Sequence, residues 1–190
     1  ERILQLTDRV QERYHVTVRA IDMRNLEDDV VALLKIANVS LEHNWGYYPV
    51  TEAEARGLAR DLKQIVNPRA VLIAEDEHGR PIGFAMSLPD VNQVLRGMDG
   101  RLFPFGWVKM LTGLPRIRDY RMWGLGVLPE YHGKAIDTLL YRKTYENLAP
   151  IIDRLEINYV LEDNAPMNNA ILKLGGKPCR KYRVYEKAIA

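Results

Sequence analysis

Ile3, Leu6 and Val10 recur at helical spacing, which predicts a short amphipathic helix over residues 1–13. Val16, Val18 and Ala20 alternate with Thr17 and Arg19, the period of a strand over residues 16–21. Helical spacing returns after Asn25, a residue suited to an N-cap, with Leu26, Val30, Leu33, Leu34, Ala37 and Leu41 on one face. Thr51 and Glu54 form a capping-box pair ahead of a helix that carries Ala55, Leu58, Leu62, Ile65 and Val66 and stops before Pro68. Residues 70–75 and 82–88 are apolar, partly β-branched runs; His78-Gly79 between them marks a hairpin turn.

The rhythm breaks over residues 89–118, where Gly97, Gly100, Pro104, Gly106 and Gly113 interrupt a short helical pattern. This reads as an insertion long enough to be functional. A strand over 121–127 follows, then a turn at Gly133 into a helix ending near Leu148. Leu155, Ile157, Tyr159 and Leu161 alternate as a strand. Met167, Ala170, Ile171 and Leu174 line a short helix ended by Gly175-Gly176, and residues 180–188 predict a last strand. The order is mixed α/β, and the strand–turn–helix–strand over 121–161 is a parallel unit.

Composition narrows the class. A chain of 190 residues with 47% hydrophobic and 27% charged residues suits one globular domain. Residues 1–14 are read as the tail of a missing upstream region and residues 15–190 as the domain itself. The net charge of +2 gives no case for nucleic acid, and no apolar run approaches membrane-spanning length, so neither partner is expected. The basic cluster Arg116, Arg118 and Arg121 faces either an acidic ligand or solvent. The lone Cys179 excludes an internal disulfide and fits a reducing, cytoplasmic setting; it is a structural thiol or, with no histidine near it, a less suited nucleophile. His43 has no partner at metal-ligand spacing, and no metal is expected.

The chemistry concentrates at Tyr131-His132-Gly133-Lys134-Ala135-Ile136-Asp137, where a strand gives way to a helix. The first turn of a helix leaves N–H groups without partners at the positive end of its dipole, a ready site for a diphosphate. Gly133 and Ala135 are small enough for close approach, and Lys134 adds positive charge. The stretch resembles the acetyl-CoA diphosphate motif of the GNAT acetyltransferases, Q/R-x-x-G-x-G/A, with His132 at the first position, Ala135 at the central Gly and Asp137 at the last. Ala135 implies an ordinary backbone angle there, and Asp137 puts a negative charge near the diphosphate unless it faces away. A later strand, then Asn164, then a helix ending in Leu174-Gly175 also resembles the family.

The resemblance implies a GNAT fold: a mostly antiparallel sheet of six to seven strands, a splayed parallel pair and flanking helices. It implies an N-acetyltransferase that moves an acetyl group from acetyl-CoA to a small-molecule or peptide amine by direct attack. The alternative is a non-catalytic CoA-binding or sensing module, and the oligomeric state, a dimer included, is open. Val127, Leu128, His132, Gly133, Lys134, Ala135, Ile136 and Asp137 would bind the cofactor, with Asn164 as a further contact or simply an N-cap. In the family a backbone N–H on the fourth strand stabilises the oxyanion. The family's usual acid, a Tyr seven residues after the Asn, is Ile171 here, so Tyr182, Tyr185 or Tyr141 would substitute. Glu75 or Glu130 would be the base. Trp45, Tyr47 and Tyr48, with Trp107 from the insertion, would line the acceptor pocket or merely anchor their loops.

Overall fold

The computed structural model describes residues 2–98, 101 and 103–188. Two compact units divide the chain, Glu1–Asn158 and Tyr159–Ala190. The first holds α1 (Arg2–Tyr14), β1 (Thr17–Ala20), α2 (Leu26–Ser40), α3 (Glu52–Leu62), β2 (Val71–Glu75), β3 (Pro81–Pro89), α4 (Asn92–Leu95), α5 (Gly106–Gly113), β4 (Asp119–Val127), α6 (Ile136–Leu148) and β5 (Arg154–Ile157). The strands form one sheet in the order β1-β2-β3-β4-β5; every pairing is antiparallel except the last, β4 with β5.

Helices cover both faces of the sheet. A side chain built at Gly83 would meet Leu140 of α6, whereas one at Gly126 would meet Ser40 at the end of α2 and the Phe84 ring. Neighbouring residues of a strand point to opposite faces, so Gly83 and Phe84 mark the α6 side and the α2 side. Phe84, Ile73, Ile82, Leu139 and Leu140 are fully buried between them. The insertion expected over 89–118 contains α4 and α5. The N-terminal helix α1 packs on α6, where Arg142 donates to the Leu4 carbonyl (3.2 Å) and to the Thr7 hydroxyl (2.6 Å).

The helix caps are partly as the sequence reads. In α3 the Thr51 hydroxyl accepts from the Glu54 N–H (3.3 Å) and the Glu54 carboxylate accepts from the Thr51 N–H (2.8 Å), the expected capping box. Asn25 makes no side-chain cap on α2. Asp29 of the first turn instead accepts from the Asp22 N–H at 2.7 Å and holds Arg19 in a two-pronged pair. Burial alone would raise the Asp29 carboxyl pKa, but Arg19 and the Asp22 N–H outweigh it and hold the group below the usual carboxylate range.

Among the described residues the sheet has five strands, not six or seven. The strand expected over 155–161 ends at Ile157, and residues 180–188 form none. A strand needs a neighbour for its ladder of N–H and C=O groups. Residues 177–188 find no such neighbour and are exposed throughout. In the second unit, α7 (Ala165–Lys173) is capped by Asn164, whose side-chain oxygen accepts from the Met167 N–H at 3.2 Å, and it ends at Gly175 with φ +87°. No helix among the described residues is long and apolar enough to cross a membrane.

Candidate functional site

Pro129–Tyr131 forms a single 3₁₀ turn after β4, held by Tyr131 N–H to the Leu128 carbonyl (2.9 Å) and His132 N–H to the Pro129 carbonyl (3.0 Å). Gly133 then takes φ +75°, and Ala135, at the N-cap of α6, takes φ 56° and ψ 28°. The ordinary angle expected at Ala135 is therefore wrong. The position takes the left-handed geometry that glycine adopts freely, at a strain of about 1 kcal/mol for an L-residue. The reason is directional: two left-handed residues in three reverse the chain tightly enough to aim successive amides outward. The first bond across the junction is from Leu139 N–H to the Ala135 carbonyl (3.2 Å). Among the described residues no oxygen accepts from the N–H groups of residues 133–138. His132, Gly133 and Asp137 are exposed beside them.

The side chains of this turn are arranged differently from their amides. The His132 ring folds back so that Nε2 lies 2.9 Å from the Val127 carbonyl, to which it must donate. Lys134 places its ammonium over two rings, Tyr131 at 4.4 Å and Tyr14 at 5.4 Å, a cation–π clasp that ties the turn to α1. The Tyr141 hydroxyl, one helical turn after Asp137, has its pKa pushed up to about 12, first by burial and then by the Asp137 charge.

The pairing of β4 with β5 runs from Asp119/Arg154 to Met122/Ile157 and stops, while β4 continues to Val127 against β3. The strands part there, with Asn158 N–H still reaching the Met122 carbonyl at 3.4 Å. Opposite residues of an antiparallel pair alternate between hydrogen-bonded and non-bonded. The Leu128 N–H is bonded to the Ile82 carbonyl at 2.9 Å, so Leu128 faces β3 and cannot serve a ligand on the open edge, contrary to expectation. Val127 faces that edge, its carbonyl taken by His132 and its N–H left open. By the same alternation Leu125 also faces it. Stepping back two residues from Val127 along the strand period would have found Leu125 in the sequence.

Trp123 is the extra residue of a β-bulge between the Met86/Gly124 and Ser87/Met122 pairs. It borders an apolar cleft of about 110 Å³ between the sheet and α2–α3, lined by residues such as Val30, Leu33, Leu62, Met86 and Leu88. The bulge lies about 15 Å along β4 from the turn, at about 3.3 Å per residue.

At the parting point Arg121 lies between two carboxylates, Asp90 (3.5 Å) and Glu156 (3.6 Å). Glu156 is its register partner on β5 and accepts no hydrogen bond among the described residues. The sequence shows no reason to single out Glu156, because only the β4–β5 register brings it here.

The other expected residues are placed as follows. The Glu75 carboxylate takes the Arg19 Nε at 2.7 Å, and its pairing with Pro81 sets it at the turn end of the sheet, away from the bulge. Glu130 is paired with Arg80 at 2.9 Å. Tyr182 and Tyr185 are exposed in the second unit, off any strand, with Tyr182 against the Tyr159 ring at 6.1 Å. Tyr47 donates to the Asn38 side-chain oxygen (2.9 Å), which also accepts from the Val50 N–H, so it anchors its loop. Trp45 and Tyr48 are exposed, and no ring contact among the described residues joins them to Trp107.

No family model matches the chain. It is 35% identical to Protein YghO of Escherichia coli over 97% of its length and 48% of that protein. It is also 35% identical to a bacterial ceramide synthase of Caulobacter vibrioides over 92% of its length and 47% of that protein. The chain thus spans about half the length of the curated relatives it matches. Among solved structures, AAC(6′)-Iy in complex with a CoA-based bisubstrate analogue superposes with a TM-score of 0.57 at 17% identity, covering 92% of this chain and 99% of that one. With a left-handed turn of open amides and a strand pair that parts beside it, the chain shares the fold of this acetyltransferase structure.

Proposed function

We propose that this chain is a CoA-dependent N-acyltransferase. The observation that carries the reading is the run of open N–H groups at residues 133–138 beside the free edge of β4. The diphosphate would sit on those amides, which cost no reorganisation when an anion arrives. The pantetheine arm would follow the Val127 and Leu125 edge, bringing the thioester to Trp123. A free N–H of β4 would then receive the oxyanion.

The amine attacks the thioester carbonyl. A C–N bond forms, the C–S bond breaks, and the sulfur leaves with a proton from solvent, since Ile171 stands where the family places its Tyr. Glu156 is the better base than Glu75: it borders the parting point and faces Arg121 only at 3.6 Å without a hydrogen bond, whereas Glu75 accepts a 2.7 Å hydrogen bond from Arg19. The carboxylate of Glu156 at the parting point favours catalysis over passive sensing, because binding CoA needs the open edge but no base beside it.

The acyl group need not be acetyl. The cleft continuing from Trp123, with its apolar lining, supports a longer acyl chain, as does the likeness to a protein named for ceramide synthesis. A ceramide is the amide of a long-chain amino alcohol with a fatty acid, so a long-chain primary amine is the acceptor class to test first. The test is thiol release from acetyl-, octanoyl- and palmitoyl-CoA with such an amine. Turnover rising with chain length supports this reading, turnover with acetyl-CoA alone returns the donor to acetate, and no turnover with any donor despite CoA binding would favour the sensing module.

A further inference from the structure

The insertion between β3 and β4 turns its apolar side outward. α5 docks through its two glycines: a side chain at Gly106 would run into the Arg101 carbonyl and the Met98 side chain, and one at Gly113 into Val94. At about 100° per residue, Trp107, Val108 and Leu111 fall on the opposite side of the helix. Trp107 is 48% exposed and Leu111 65%. Phe103 and Phe105, just before the helix, are 75% and 71% exposed. A helix of a globular domain puts its apolar stripe inward. This one does the reverse, and a contiguous exposed patch of large apolar side chains marks a contact surface.

The charge within the insertion is mostly positive, with Arg118 ion-paired to Asp153 at 2.9 Å and the Lys109 ammonium donating to the Gly97 carbonyl at 2.6 Å. Residues 91–118 hold Arg96, Arg101, Lys109, Arg116 and Arg118 against the single acid Asp99, more positive charge than the whole chain's net +2. All five cations are exposed. Protein–protein interfaces also enrich aromatic residues and Arg, so the excess of cations over acids is what points to an anionic surface. Exposed aromatic and aliphatic side chains interspersed along the chain with Arg and Lys are the composition of an element lying in a bilayer interface, apolar side in the headgroup boundary and cations on lipid phosphates.

We propose that the insertion, residues 91–118, is a peripheral membrane anchor that docks on anionic phospholipid through Phe103, Phe105, Trp107 and Leu111. No membrane partner was expected from the sequence because no segment spans a bilayer; an interfacial patch needs none.

The test is cosedimentation of the 190-residue chain with vesicles of phosphatidylcholine alone or mixed with phosphatidylglycerol. Binding is expected on the mixed vesicles, at least roughly tenfold stronger than on the neutral ones and weakened by salt. The double variant W107E/L111E should lose at least roughly tenfold with an unchanged thermal melt. R96Q/R116Q, which leaves the apolar patch intact, should lose only the preference for the anionic vesicles. No binding by the unaltered chain, or equal binding by W107E/L111E, overturns the proposal. So does a dimer in light scattering that W107E/L111E converts to monomer, which would give the face to a second copy. The readout involves no turnover, so its failure is separate from failure of the acyltransferase reading.

Discussion

The imidazole of His132 donates to the carbonyl of Val127 across 2.9 Å, closing the end of β4 onto the turn that follows it. The residue at the position where the family motif has Arg or Gln therefore acts on the protein rather than on a phosphate. His132→Ala should remove one hydrogen bond, about 1 kcal/mol, and weaken CoA binding only about fivefold. Calorimetric titration checks this; a loss beyond about a hundredfold, near 3 kcal/mol, would put the imidazole on the ligand.

Ala135 holds a left-handed backbone that glycine adopts freely. Ala135→Gly should be neutral to stabilising, by up to about 0.5 kcal/mol, the relief of strain less the added chain entropy. Urea denaturation reads the change, and CoA affinity should stay the same or rise. Destabilisation would mean that the turn is not left-handed in solution.

Asp137 raises the Tyr141 pKa in addition to burial, so one phenol should titrate near pH 12. A neutral phenol is favoured in the folded state. Its contribution is complete below the unfolded pKa of about 10 and is lost as pH rises from there through the folded value. Absorbance titration should show the latest tyrosine, behind the also raised Tyr47 and Tyr131, moved down by Asp137→Asn. An unmoved tyrosine would place the carboxylate elsewhere and reopen its conflict with the diphosphate.

Glu156→Gln keeps size and removes the base. It should lower kcat roughly 10²–10³-fold, leave CoA affinity unchanged, and lose the acidic limb of the pH–rate profile. Glu75→Gln should act instead on stability, through the Arg19 pair. The opposite pattern would exchange their roles.

The open amides at the start of α6 were legible because helix starts leave N–H groups without partners whatever the surrounding fold. The capping box at Thr51 and Glu54 was legible for the same local reason. Leu128 was misjudged because which edge a strand residue faces depends on its partner's register, and the bulge at Trp123 shifts that register invisibly. Glu156 became a candidate only through pairing with a strand 35 residues away, as Arg121↔Glu156. Residues 180–188 have the alternation of a strand but form none, because alternation supplies only the side chains and not a neighbouring strand.

The most direct measurement is the amide nitrogen–proton spectrum of the chain during titration with CoA, against the same titration with pantetheine, which lacks the diphosphate. The amides of residues 133–138 should shift strongly and saturably with CoA and hardly at all with pantetheine, while Leu125 and Val127 respond to both. If CoA binds and the amides of 133–138 stay where they are, the diphosphate lies elsewhere and the acyltransferase account is wrong.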